Sequence, residues 1–238
     1  MKKHYLSHFV LCFTVFCLQM SAQSRFTGGI FGGINLAQID GDKQQGYDKL
    51  MLTAGVRGGV ILGKIFDIGT ELIYNGKGAR PRNDGSLNRT PALTAELHYA
   101  EVMLTFNTHF GMSDEGFYRK TFTIGASYGR LLTSAVDVQN NHLPDSAKIR
   151  DLRQENFKSS DIGLMLGFSY RFTPKIGVAL RHTLSLSRFY ENPLYYNKNV
   201  KVPFEAYYSF SSYFLSLHVF YDFLTPKLIK KRKGKKKY

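Results

Sequence analysis

The stretch "YFLSLHVFYDF" (Tyr213–Phe223) alternates without a break. Tyr213, Leu215, Leu217, Val219, Tyr221 and Phe223 fall on one face, and Phe214, Ser216, His218, Phe220 and Asp222 on the other. A helix repeats about every 3.6 residues and cannot sort side chains this way, whereas a strand places successive side chains on opposite faces. The stretch reads as a long strand, and others like it recur upstream. Ile162, Leu164, Leu166, Phe168, Tyr170 and Phe172 stand opposite Asp161, Gly163, Met165, Gly167, Ser169 and Arg171. Ile176, Val178, Leu180, Leu184 and Leu186 form a third apolar row, broken by His182.

In all, eight stretches alternate: Arg25–Gln38, Leu50–Leu62, Phe66–Lys77, Leu97–Phe110, Lys120–Ala135, Ser160–Phe172, Ile176–Tyr190 and Tyr207–Leu224. All seven prolines lie between them or after the last, as expected of paired strands whose ladders need every N–H. The connections alternate as well. Those at Gly63–Ile65, Gly111–Arg119 and Thr173–Lys175 are short; Ile39–Lys49, Gly78–Glu96, Val136–Ser159 and Glu191–Ala206 are long and polar. Outer-membrane barrels place short turns on the periplasmic rim and long loops on the other, and an even strand count puts both termini on the short-turn side.

Alternation alone permits a soluble barrel with its apolar face inward. The polar rows argue otherwise, because they carry glycine, serine and threonine with a few charges of both signs, the kind of set that fits a narrow eight-stranded lumen. The stretches reach the roughly 9–11 residues of a tilted spanning strand. Aromatic residues end several apolar rows, as in Phe66/Tyr74 and Tyr213/Phe223, where girdles meet the lipid interface. The sequence therefore predicts an all-β, eight-stranded antiparallel up-and-down transmembrane β-barrel over residues 23–225. Its partners are outer-membrane lipid and, during assembly, the insertion machinery that reads the final strand. That strand is expected to close on Phe26–Leu36 and remove the sheet edges.

Residues 1–22 read as a cleavable secretory leader: Lys2 and Lys3, an apolar run from Phe9 to Leu18, then Ser21-Ala22. Both cysteines, Cys12 and Cys17, lie inside it, so the mature chain has no thiol chemistry. The net charge of +14 is unevenly placed: two lysines leave with the leader and eight basic residues sit after Pro226, which leaves +4 for the body. A nucleic-acid function is not expected from so mildly basic a body. The tail, residues 226–238, contains Lys230, Lys231, Arg232, Lys233, Lys235, Lys236 and Lys237. It is too charged to pack, and on this topology it offers electrostatic capture of an anionic periplasmic partner.

Projecting the polar rows inward collects Arg57, Asp67, Glu71, Lys77, Glu101, Asp161, Arg171, Arg181, His218 and Asp222. Charges removed from water require partners. The expected arrangement is an ion-pair network that plugs the lumen, with Glu71 and Glu101 facing Arg57, Arg171 and Arg181; the alternative is a conducting path. Catalysis is not expected. None of His98, His109, His142, His182 and His218 begins a His-x-Ser triplet, His182 faces lipid, and Glu101 and His109 lie too far apart on one strand. Nor is a metal or other cofactor expected, since the histidines are scattered. The glycines of "FTGGIFGGINL" (Phe26–Leu36) sit within strand alternation with no helix following, so they read as close strand packing rather than a dinucleotide loop. Outward-facing chemistry falls to the loops Asn75–Thr90 and Arg188–Val200.

The chain resembles the PorT-type outer-membrane β-barrel family of Gram-negative bacteria. The segments that carry the resemblance are "GGIFGGINLAQIDGD" (Gly28–Asp42) with Gly46-Tyr47-Asp48-Lys49, "ELIYNGKG" (Glu71–Gly78), Tyr99-Ala100-Glu101-Val102 and "DIGLMLGFSYRF" (Asp161–Phe172). The resemblance implies a fold and a location rather than a reaction. The family's namesake serves type IX secretion as an accessory component and not as the export pore. The lysine-rich tail lies outside the resemblance.

Overall fold

The computed structural model describes residues 25–40, 46–80, 92–139, 158–188, 190–191 and 209–225. Residues 1–24, the basic tail and most of the two loops singled out above lie outside them. Among the described residues there are nine strands: β1 Phe26–Asp40, β2 Lys49–Ile61, β3 Phe66–Ala79, β4 Ala92–Met112, β5 Tyr118–Gln139, β6 Ser160–Arg171, β7 Ile176–Ser185, the two-residue β8 Tyr190–Glu191, and β9 Ser209–Leu224. The eight long strands pair antiparallel in the order β1-β2-β3-β4-β5-β6-β7-β9, and β1 pairs β9 to close the cylinder. The eight alternating stretches are these eight strands. With β8 pairing the start of β9, no long edge is left open.

Several bounds differ from the sequence reading. β4 and β5 each run past twenty residues, because their ladder continues from Ala92↔Gln139 down to Met112↔Tyr118, with one bulge at His98/Tyr99. Polar composition had suggested loop there, but neighbouring strands supply partners whatever the composition. β7 instead stops at Ser185. Beyond it Ser187 Oγ takes the Ile162 N–H at 2.8 Å, so a side chain replaces the backbone acceptor the ladder would use.

The faces are sorted opposite to those of a water-soluble protein. Leu52, Leu104, Leu166 and Val219 are 69, 63, 55 and 59 % exposed, whereas Lys77, Glu101, Asp161 and Asp222 are 1, 2, 2 and 2 % exposed. Charged residues are almost never fully buried in a soluble fold, and so continuous an exposed apolar surface would drive aggregation in water. Lipid resolves both. Along β6 and the residue that follows it the outward row runs from Ile162 to Phe172, about 33 Å along a strand and about 25 Å along the axis at a tilt near 40°. That is the height of an outer-membrane apolar band.

Girdles mark both rims. Phe66 stacks on Phe106, Phe110 approaches Phe168, and Tyr170 approaches Phe172 at the short-turn end. At the other end Tyr74 Oη lies 2.7 Å from His98 Nδ1, and Tyr47 Oη lies 3.0 Å from His182 Nε2. His182 is thus an outward rim residue, as its place in the row indicated. The short turns are built locally. Between β4 and β5, Gly116 at φ +85° donates to Ser113 O at 3.0 Å, a backbone setting that suits glycine. Between β6 and β7, Thr173 Oγ1 accepts from Ile176 N at 3.0 Å.

Candidate functional site in the barrel lumen

β3 crosses the full depth of the lumen, so its inward residues give the layers in order. From the short-turn rim they are Asp67, Gly69, Glu71, Ile73, Asn75, Lys77 and Ala79.

At the first layer, Asp67 Oδ2 lies 2.6 Å from His109 Nε2, and His109 Nδ1 lies 2.9 Å from Thr121 Oγ1. Asn107 Nδ2 donates to the other Asp67 oxygen at 2.5 Å. The Asp–His–hydroxyl line has the order of a hydrolase triad, but its hydroxyl is a buried threonine and its nearest amide is committed to Asp67. It is a hydrogen-bonded line along the inner wall. Asp67 and His109 are two donors, short of the third protein ligand that a zinc site uses.

Beside this layer Arg57 Nη2 and Nε donate to Asp222 Oδ1 at 2.6 and 2.9 Å, and Arg171 Nη2 lies 3.1 Å from Asp222 Oδ2. Both guanidiniums lie over Phe220, at 4.1 and 5.4 Å from its centroid. The register explains how Arg57 reaches so far. Gly29 of β1 stands between Arg57 of β2 and Asp222 of β9, and a Cβ on it would come within 2.4 Å of Asp222 Oδ1. A glycine leaves the gap that the ion pair spans. Next, Arg181 of β7 crosses the lumen to Glu71 of β3 as a two-pronged fork, at 2.6 and 2.8 Å. A cavity of about 50 Å³ lies among these groups, lined by Arg57, Asp67, Glu71, His109, Arg171 and Arg181 among others. That is room for a few waters.

Above Glu71 the lumen becomes apolar: Ile73 packs with Phe31, Met103, Met165, Ala179 and Phe220. Here His218, 4 % exposed, stacks on Phe31 at 4.9 Å with neither ring nitrogen hydrogen-bonded. An imidazole in this setting serves as a flat packing group. At the Asn75 layer the amides interlock. Asn35 Nδ2 donates to Asn75 Oδ1 at 2.5 Å and to Gly76 O at 2.8 Å, Ser216 Oγ donates to Asn35 Oδ1 at 2.7 Å, and Asn75 Nδ2 donates to Glu101 Oε2 at 2.9 Å.

One layer on, Lys77 Nζ donates to Asp161 Oδ2 at 2.6 Å and lies 2.6 Å from Glu101 Oε1, with the ring of Tyr99 4.7 Å away. Asp161 also accepts from Ser185 Oγ and Ser187 Oγ. A last apolar cluster of Ile39, Ala79, Ala95, Leu97, Tyr99 and Phe210 closes the long-loop end.

The structure thus places the five ion-pair candidates on the inner wall but distributes them differently from the expectation. Arg181 meets Glu71. Glu101 does not face Arg57, Arg171 or Arg181 but is held by Lys77, because it stands opposite Ile73 on β3, higher in the barrel than Arg57, which stands opposite Glu71. Period-two alternation fixes the face of a residue and not its depth. The acceptor for Arg57 and Arg171 is Asp222, counted among the inward charges but not matched to them. Sequence reasoning gave Asn35 and Ser216 no role, did not pair Asp67 with His109, and set Asn75 at the start of an outward loop, whereas Asn75 lies within β3 and is buried in the lumen. It also understated the large apolar residues on those rows. Tyr213, Leu215, Leu217, Val219, Tyr221 and Phe223 form the outward row of β9.

A closed up-and-down barrel with an apolar outer wall and ion pairs inside defines a transmembrane outer-membrane β-barrel. The chain belongs to the outer membrane protein beta-barrel domain family, whose model matches residues 19–191. No curated protein matches it. Among solved structures it is similar to Ail, the attachment invasion locus protein of Yersinia pestis. That match is at 8 % identity and TM-score 0.41, over 84 % of this chain and 99 % of that one. Neisserial surface protein A follows at 11 % and 0.40, over 84 and 97 %, and AlkL at 14 % and 0.31, over 85 and 93 %.

Proposed function

We propose that this protein is a non-catalytic, non-conducting anchor in the outer membrane that works through partners at its two rims. The observation that supports this reading is the stacking of two apolar clusters with paired charges between them, with Tyr99, Phe210 and Phe220 at 1, 1 and 2 % exposure. Ions entering such a lumen would shed their water against hydrocarbon. In this reading residues 1–22 are removed on export, the connections after β1, β3, β5 and β7 face the exterior, and the basic tail reaches periplasmic anions. A PorT-type accessory role in type IX secretion is the second reading, favoured by the ordered segments Gly28–Asp42, Glu71–Gly78 and Asp161–Phe172.

Planar-bilayer recording of the mature protein tests the first claim. No resolved single-channel steps are expected from it or from Glu101→Ala; steps that Glu101→Ala alters would make the lumen a conduction path. Purification from solubilised native envelopes, with and without Lys227–Tyr238, separates the partner readings. Components recovered only with the tail support an adaptor, and secretion components among them support the accessory role.

A further inference from the structure

On the outward face of the long-loop rim, Arg130 of β5 stands opposite Ser160 of β6. The β6–β7 register continues past the end of β7. Leu186 N donates to Ile162 O at 2.7 Å, and Ile162 N donates to Ser187 Oγ at 2.8 Å. With Gly163 opposite Ser185, that register sets Arg188 opposite Ser160 from the other side. Arg130 and Ser160 are paired on β5 and β6, and Arg188, three residues past the end of β7, falls level with them. Ser187 points inward to Asp161, so its neighbour Arg188 points out, and both arginines are exposed. Two inter-strand steps separate their backbones, about 10 Å, a span that two arginine side chains can close over one group.

The adjoining rows fix the depth. Towards the lipid, Tyr128, Ile162 and Leu186 are 53, 50 and 61 % exposed. Towards the rim, the Leu131 N–Ser159 O bond of 2.8 Å carries the ladder on, so that Lys158 falls opposite Leu132. The arginine row sits where hydrocarbon ends. The lumen cations and Lys49 each have an acidic partner. Lys49 has Glu96, Lys77 has Glu101 and Asp161, Arg57 and Arg171 have Asp222, and Arg181 has Glu71. The side chains of Arg130 and Arg188 have no hydrogen-bond or ion-pair partner among the described residues. Two planar forks at headgroup depth, over a ledge of Tyr128 and aliphatic side chains, match a phosphate carried on acyl chains.

We propose that Arg130 and Arg188 bind the phosphate of an anionic lipid headgroup in the leaflet on the long-loop side. The test uses the mature protein in non-ionic detergent, titrated with diphosphoryl lipid A and with its dephosphorylated counterpart, and bound lipid is counted by native mass spectrometry. The wild type is expected to prefer the phosphorylated lipid. R130Q/R188Q should weaken that binding by roughly 30-fold, about fivefold for each basic residue near a lipid phosphate. Lys64→Gln/Lys175→Gln, at the opposite rim, should leave it unchanged. Heat-modifiable gel mobility checks folding; if the double variant does not fold, R130Q and R188Q are read singly, each at about fivefold. Equal affinity in wild type and variant overturns the proposal, as does equal loss in the opposite-rim control. Displacement of the lipid by millimolar inorganic phosphate also overturns it, in favour of a free-anion site.

Discussion

Lys77→Met is expected to destabilise the barrel by about 3–5 kcal/mol, the usual cost of removing one partner from a buried ion pair. Lys77 is the cation shared by Glu101 and Asp161, and the three side chains are 2, 1 and 3 % exposed. Without the ammonium group two carboxylates would share one dry layer. Urea titration of protein folded into phosphatidylcholine vesicles, read by gel mobility, measures the loss. Neutralising the acids as well, in Lys77→Met/Glu101→Gln/Asp161→Asn, should recover most of it, because no buried charge then lacks a partner. Lys49→Met is the control. Its partner Glu96 has a side chain 45 % exposed, so the loss there should stay below about 1 kcal/mol. Equal losses at Lys77 and Lys49 would mean that the inner network contributes no more than a surface pair.

Gly33→Ala should be nearly as damaging, for a steric reason. Gly33 lies on the seam where β1 meets β9, and a Cβ there would fall 2.0 Å from the backbone oxygen of Leu217 and 2.9 Å from His218 Cα. Backbone cannot rotate out of the way, so the closing strands must part, and a loss of about 3 kcal/mol or more is expected. Gly32→Ala provides the comparison one residue away. It faces outward, its nearest neighbour would be Thr53 O at 3.9 Å, and it should unfold within about 1 kcal/mol of the wild type. Coincident urea midpoints for the two variants would contradict the geometry of the seam.

These residues also show what the sequence could and could not disclose. The faces were legible because alternation in a strand is enforced by the pleat: Leu215 and Ser216 must point to opposite sides whatever the rest of the chain does. Closure was legible from the matching first and last strands. Depth was not. It depends on the stagger between neighbouring strands, which no single strand encodes, and so Glu101 was set among the arginines instead of beside Lys77. Composition misled in a second way. The inner rows contain Phe31, Tyr99, Phe214 and Phe220 next to glycine, and a mean over such a row reads as small and polar while the packed lumen needs both. Gly33 could be read as close packing, but the atom it avoids lies on a strand roughly 180 residues later.

Which wall of the barrel meets lipid separates a membrane barrel from a soluble one. Residues 23–238 contain no cysteine, so in a chain that starts at Gln23 single cysteines can be placed from Tyr213 to Phe223 one at a time, labelled with a fluorophore and exposed to quenchers in vesicles. Positions 215, 217, 219 and 221 should be quenched by a lipid-bound agent and positions 216, 218 and 220 protected from it, in strict alternation. Quenching of positions 215, 217, 219 and 221 by a water-soluble agent alone would contradict the account and make the barrel a soluble one.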